Sequence, residues 1–223
     1  MGRLTIALDG PAGSGKSSAA KQIAQNLGIL YLDTGAMYRA VGYWMLKQGI
    51  DPLDRERVES EMEAVDVLIR FVDGHQQVWV NGEDVTGKIR NPEISKAASD
   101  VSAHPVVRMA MVELQRKTSC EYDMILDGRD IGTFVLPDAK YKFFLVASCD
   151  ERARRRHKEL AEKGIEKPLE TIKREIEQRD YNDSHRALAP LKQAEDAILI
   201  DSTSMTIDEV VDTIIKKVKG EQS

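Results

Sequence analysis

At 223 residues the chain is long enough for one α/β domain with insertions and a substantial buried core. Hydrophobic residues make up 42% and charged residues 31%, the balance of a soluble globular protein. A formal net charge of -5 argues against a general nucleic-acid binder. Cys120 and Cys149 match neither a metal-ligand spacing nor a disulfide framework. No apolar run reaches membrane-spanning length, and the first residues lead into a strand rather than a signal-peptide core. A cytoplasmic protein with no nucleic-acid or membrane partner is expected.

In chain order, Leu4-Thr5-Ile6-Ala7-Leu8 is an apolar run of strand length. It leads into Gly10-Pro11-Ala12-Gly13-Ser14-Gly15-Lys16-Ser17, which fits G-x-x-x-x-G-K-[ST] at every fixed position. Ser17 to Leu27 then reads as an amphipathic helix, with Ala20, Ile23, Ala24 and Leu27 at helical spacing. Strand, glycine-rich turn and helix together hold polyphosphate, because curled backbone N–H groups and a helix N-terminus both favour anions. Lys16 is expected on the outer phosphates and the Ser17 hydroxyl on Mg²⁺. The alternative, an ordinary glycine-rich turn, explains four fixed positions in this context poorly.

A second strand at Ile29 to Leu32 follows Gly28 and ends in Asp33-Thr34-Gly35, with a helix from about Ala36 to Gln48. A polar helix is expected from about Asp54 to Ala64. Residues 66–71, 77–80 and 84–85 alternate polar and apolar around Asp73-Gly74 and Asn81-Gly82, which reads as a small antiparallel sheet inserted into the domain. Helices follow at Pro92–Ala103 and Pro105–Thr118. Asp123 to Asp127 is the third main strand, with a loop from Gly128-Arg129-Asp130 through Pro137. Tyr141 to Ala147 is the fourth, and its apolar character places it centrally. A charged helix is expected from Asp150 to Lys163, a break at Gly164 and Pro168, and a helix from Leu169 to Arg179. A polar loop then carries Asp183 and Arg186 to Pro190. Ala197 to Asp201 is the fifth strand and Thr206 to Lys219 the closing helix. The alternation predicts a five-stranded parallel sheet with helices on both faces, a small antiparallel insertion and a helical lid, with ligands at the carboxyl ends of the strands.

The polar residues past those strand ends are Asp33, Thr34, Arg39, Asp127, Arg129 and Asp130, followed by Arg152, Arg155, Arg156, Arg179 and Arg186. So many guanidinium groups suit a cleft crowded with phosphate from two molecules. For any one member of the 152–156 run, a solvated helix face is an equally good reading, although Arg152 and Arg156 share a face at i, i+4. Asp127, ending an apolar strand, either caps a turn or holds Mg²⁺ through water, and the neighbouring phosphate loop favours the metal. His75, His104, His157 and His185 form neither a triad nor a metal site.

Gly10 to Ser17, Asp33-Thr34-Gly35-Ala36-Met37-Tyr38-Arg39, Asp127-Gly128-Arg129-Asp130-Ile131-Gly132-Thr133, the run Arg179 to Arg186 and Ala189-Pro190-Leu191 together resemble the bacterial cytidylate kinases, over essentially the whole chain. Ser17-Ser18 stands where some relatives carry Gly-Thr, so either hydroxyl is available to the metal. The resemblance implies one P-loop kinase domain over 1–223, with a core at about 1–35, 120–150 and 190–223, an acceptor region at 36–119 and a lid at 151–189. It implies an enzyme that uses ATP and Mg²⁺ to phosphorylate CMP or dCMP, and the charged surface suggests a monomer. Gly10, Pro11, Ala12, Gly13, Ser14, Gly15, Lys16, Ser17 and Ser18 would bind ATP, with Arg152, Arg155 and Arg156 in the lid over it. Thr34, Arg39, Arg129 and Arg186 would hold the acceptor phosphate, Arg179 and Asp183 its sugar, and Ser99, Arg108 and Asp130 its base. Lys16, Arg129, Arg156, Arg179 and Arg186 would act on the transferring group. A kinase for UMP or shikimate, or a P-loop switch with little turnover, is the rival reading.

Overall fold

The computed structural model describes residues 3–162 and 164–220. Lys163, where the charged helix is expected to end, lies outside the described residues. In chain order the elements are β1 (Thr5–Asp9), α1 (Lys16–Leu27), β2 (Leu30–Asp33), α2 (Thr34–Lys47), α3 (Arg55–Met62), β3 (Val67–Val72), β4 (His75–Val80) and β5 (Glu83–Asp84). Then come α4 (Pro92–Val101), α5 (Pro105–Glu121), β6 (Met124–Gly128), a π-helical turn (Ile131–Val135), β7 (Tyr141–Val146), α6 (Cys149–Glu162), α7 (Leu169–His185), β8 (Ile198–Asp201) and α8 (Ile207–Gly220). Among the described residues the strands form a five-stranded sheet, β2-β6-β1-β7-β8, and a three-stranded sheet, β3-β4-β5. Two compact units result, one spanning Leu30–Met124 and the other Leu4–Ile29 with Ile125 onward.

In the second unit β1 runs parallel to β7, with Ile6 opposite Tyr141 and Asp9 opposite Phe144, and β7 runs parallel to β8. β7, placed centrally by its apolar run, lies between β1 and β8, and the middle strand of the five is β1. Ile6, Ala7 and Leu8 are wholly buried, whereas β7 borders β8, whose Ile198 and Leu199 are exposed at the sheet edge. An apolar run marks an interior strand but not its rank within the sheet. Ile23 of α1 and Val210 and Ile214 of α8 are also fully buried. Each such side chain contributes about 1.5–3 kcal/mol relative to exposure.

Helix ends follow their capping chemistry. Gly28 closes α1 at φ +65°, with Ile29 N–H donating to the Ala24 carbonyl, a reversal that favours glycine. Thr206 and Glu209 exchange hydrogen bonds ahead of α8, Thr206 N–H donating to Glu209 Oε2 at 2.8 Å and Glu209 N–H to Thr206 Oγ1 at 3.3 Å. The hairpin α6–α7 has its own small core of Ala153, Leu160, Ile172 and Ile176.

Two sequence expectations need correction in this unit. Helix α7 continues through His185 instead of stopping at Arg179. The run Asp180 to Ser184 has weak helix propensity, but tertiary bonds override it: Asp180 pairs with Arg152 and Asp183 with Arg129. A stacked Tyr181–His185 pair, 4.0 Å between ring centroids, adds to the last turn. The 128–137 segment is not simply a loop, because Ile131–Val135 forms a π turn whose first N–H groups are held by Asp9.

In the first unit β3 and β4 pair antiparallel from Val67 opposite Val80 to Val72 opposite His75. Asp73 and Gly74 both have positive φ, as do Asn81 and Gly82, which is the geometry tight hairpins need. Asn91 caps α4 by accepting the Ile94 N–H at 2.9 Å, with Pro92 in the first turn.

Candidate active site

The glycine-rich turn of the second unit packs tightly against the sheet. Gly10 sits at φ +146°, and a Cβ there would lie 2.0 Å from the Leu145 carbonyl oxygen, so only glycine fits. Gly15, at φ +95°, precedes α1, whose first turn carries no acidic side chain to neutralise its positive end. Lys16 is buried, with Nζ donating to the Pro11 carbonyl at 2.6 Å and to Ser14 Oγ at 3.3 Å. Burial, and after it the Arg129 charge, hold the Lys16 ammonium well below its ordinary pKa against the pull of Asp127 and Asp9. A polyphosphate beside it would reverse that balance.

Ser17 Oγ donates to Asp127 Oδ2 at 2.6 Å. Of the two adjacent serines, Ser17 is therefore the one joined to the buried carboxylate. Among the described residues no group of three or more His, Cys, Asp or Glu side chains is arranged to hold a metal. One hydroxyl and one carboxylate fit Mg²⁺, which binds through one or two carboxylates and takes its other ligands from phosphate and water.

Asp9, absent from the sequence-derived site, accepts N–H bonds from Ile131 (2.8 Å) and Gly132 (2.7 Å) and so fixes the turn after Arg129 and Asp130. The signal available in the sequence was its place at a strand end directly before Gly10. Burial raises its pKa from 3.8 to about 6, despite the two backbone donors. A raised carboxyl pKa contributes stability that is complete below pH 3.8 and is lost as pH climbs through 6. Urea unfolding between pH 4.5 and 7 should show this downward slope, up to about 2 kcal/mol across that window, and Asp9→Asn should remove it.

Beyond Asp127 the site is a lattice of alternating charge. Arg129 Nε donates to Asp183 Oδ2 at 2.7 Å, Arg186 Nη2 to Asp130 Oδ1 at 3.1 Å, and Arg186 Nη1 lies 3.8 Å from Asp183 Oδ1. Burial opposes both charges of the Arg129–Asp183 pair. Asp183 nevertheless keeps Arg129 above its usual pKa, and Arg129, Arg179 and Arg186 keep Asp183 below its own. Arg179 lies one turn before Asp183 on α7, half-buried.

The arginines of α6 separate in role. Arg152 is buried and donates to the Ala147 carbonyl (3.0 Å), the Ala12 carbonyl of the phosphate loop (3.0 Å) and Asp180 Oδ2 (2.6 Å). Arg155 donates to the Ser202 carbonyl (2.6 Å) and reaches the Ser14 carbonyl (3.5 Å), while Ser202 Oγ also donates to Ser14 (3.2 Å). Arg156 is half-buried and pairs with Glu159 at 2.7 Å. Ser202 carried no sequence signal.

In the first unit Asp33 is the hub. Its Oδ1 caps α2 by accepting the Ala36 N–H at 2.9 Å, and its Oδ2 accepts from Arg39 at 2.8 Å and Arg90 at 3.0 Å. Thr34 is the buried first residue of α2. Arg108 is buried in α5, its guanidinium 5.5 Å from the Tyr38 ring centroid and its Nη1 3.4 Å from the Ser102 carbonyl. Ser102 Oγ donates to the Ser99 carbonyl at 2.8 Å, so Ser99 and Arg108 share one neighbour. Gln76 and Arg90 lie outside any motif of the sequence.

Comparison with known proteins extends these observations along the chain. The family model described as Cytidylate kinase matches residues 6–220. A cytidylate kinase of Caldicellulosiruptor bescii is 49% identical over 97% of this chain and 96% of its own length. One from Oceanobacillus iheyensis is 47% identical over 97% and 94%, and one from Ligilactobacillus salivarius 50% identical over 96% and 95%. The crystal structure of an uncharacterized protein from Eubacterium ventriosum shares the fold, with a TM-score of 0.56 at 14% identity over 98% of this chain and 99% of that one. The likeness to the cytidylate kinases runs from the first strand to the last helix and is not confined to the phosphate loop, and on that evidence the chain belongs to the cytidylate kinase family.

Proposed function

We propose that the chain moves the γ-phosphate of ATP onto CMP or dCMP, giving ADP and CDP or dCDP. The observation that carries this reading is the family match over residues 6–220. The side chains suit the chemistry. The attacking group is a phosphate oxygen, ionised near neutral pH, so positioning and charge neutralisation suffice and no general base is needed. Lys16 follows the charge onto the transferring group, supported by Arg129, Arg156, Arg179 and Arg186. Residues 10–18 cradle the ATP phosphates, and Arg152 braces the loop that holds them. Ser17 and, through water, Asp127 would hold Mg²⁺, which neutralises phosphate charge when bound.

On the acceptor side, Thr34, Arg39, Arg129 and Arg186 hold phosphate, Arg179 and Asp183 hold sugar, and Ser99, Arg108 and Asp130 read the base. Cytosine presents an N4 amino donor that a carboxylate accepts, whereas uracil presents an oxygen. In this reading residues 1–35, 120–150 and 190–223 are the core, 36–119 the acceptor region and 151–189 a lid, in a cytoplasmic monomer. The separate core of the α6–α7 hairpin supports a lid that moves as one piece and shields the reaction from water. No described helix is long and apolar enough to cross a membrane.

A coupled assay with CMP, dCMP, UMP, AMP and GMP at saturating ATP tests the reading. CMP or dCMP should be preferred, and Asp130→Ala should narrow the CMP-to-UMP ratio of kcat/KM by about tenfold or more. Comparable turnover of AMP, GMP and UMP with none of CMP would overturn it.

A further inference from the structure

The three-stranded sheet has no part in the chemistry above, yet one of its side chains reaches the residue from which α2 starts. Gln76 of β4 accepts the Asp33 N–H through Oε1 at 2.7 Å and donates through Nε2 to the Asp33 carbonyl at 3.3 Å. A primary amide paired with the N–H and the C=O of one residue does the work of a ladder partner, fixing that residue's backbone in position and tilt.

Little slack separates the Asp33 backbone from the acceptor side chains. Asp33 ends β2 and caps α2, and its carboxylate holds Arg39. A Cβ on Gly35 would lie 3.1 Å from Arg39 Nη1 and 3.2 Å from Asp33 Oδ1, so carboxylate and guanidinium close tightly over this position and would have to give way to a side chain. A shift of the Asp33 backbone therefore passes to Thr34, the next residue, and to Arg39. The sheet is also fastened farther along α2, where Glu83 of β5 accepts from Tyr43 Oη at 2.8 Å and Lys47 Nζ at 2.5 Å. Lys47, Lys88 and Tyr43 hold the Glu83 carboxyl at about 2, so this second attachment persists at neutral pH.

We infer that Gln76 is a positioning residue for the acceptor, and that the three-stranded sheet is a splint along α2 whose amide sets the Asp33 backbone and with it Thr34 and Arg39. The inference rests on the proposed assignment of Thr34 and Arg39 to the acceptor phosphate.

The test varies CMP and ATP separately in steady-state kinetics of Gln76→Met, Gln76→Glu and Arg39→Ala. Gln76→Met keeps side-chain volume and loses both hydrogen bonds. It should raise KM for CMP about tenfold, leave KM for ATP unchanged and shift the melting temperature little. Gln76→Glu, which keeps the oxygen that accepts the Asp33 N–H, should recover much of the loss. Added to Arg39→Ala, Gln76→Met should cost little more, because the group it positions is gone. If Arg39→Ala raises KM for CMP while Gln76→Met leaves it alone, or raises both KM values alike, the splint is refuted and the acceptor assignment stands. If Arg39→Ala itself leaves KM for CMP unchanged, the acceptor assignment fails and the inference falls with it.

Discussion

Lys16→Met is expected to lower turnover by about three orders of magnitude or more while leaving the ligand-free protein at least as stable as before. Both halves come from one observation, a buried ammonium whose charge is disfavoured by burial and by Arg129. With a folded-state pKa below the ordinary lysine value, the unfolded chain binds more protons across the interval between the two. Stability from this group therefore rises with pH through that interval and is reduced below it. Methionine removes the penalty and keeps the volume. ATP reverses the balance, because its phosphates add counter-charge to that of Asp127 and Asp9. Melting curves with and without ATP should show strong stabilisation of the original protein and little of the variant. Full activity in the variant would remove Lys16 from the chemistry.

Arg186→Ala is expected to cut turnover with CMP by about a hundredfold to a thousandfold. Arg186 stands between Asp130 and Asp183, and truncating it leaves Asp183 still paired to Arg129. Arg186→Ala also takes a partner from the buried Asp130 carboxylate, while Asp183→Asn strips the anion from Arg129 and from the fields of Arg179 and Arg186 and should cost about 3 kcal/mol. Asp183 has a lowered folded-state pKa. Its contribution is present above its ordinary value of 3.8 and fades as pH falls through the lowered one, so the two variants should converge in strong acid. Urea titrations at pH 7 and near pH 2 read the stability, and a coupled assay reads the turnover. Wild-type activity in Arg186→Ala would exclude it from the site.

The parts of this molecule that chemistry forces into contiguous patterns were legible in the sequence. The phosphate loop needs glycines at fixed spacings and a lysine at a fixed place. The hairpin turns need Asp-Gly and Asn-Gly because both central residues take positive φ. Asp127 was legible as a carboxylate too costly to bury alone, and Ser17 meets it at 2.6 Å. What the sequence hid depends on partners far along the chain. The end of α7 reads as a loop because Asp, Asn and Ser are weak helix formers, and pairing with Arg152 and Arg129 makes helix the better state. Asp9 meets its two N–H donors more than a hundred residues later, at Ile131 and Gly132. Gln76 is one half-buried amide in an alternating strand, and no spacing distinguishes it from its neighbour Gln77.

Arg152 and Arg155 end on carbonyl oxygens of the phosphate loop, at Ala12 and Ser14, and Ser202 closes the circuit from the far side. Main-chain carbonyls are blind to side-chain identity, so these bonds tolerate drift in the loop's variable positions but not in its path. The base of the hairpin thus acts as a gauge of backbone shape. A hairpin exchanged between relatives is therefore expected to need the loop whose carbonyls it binds.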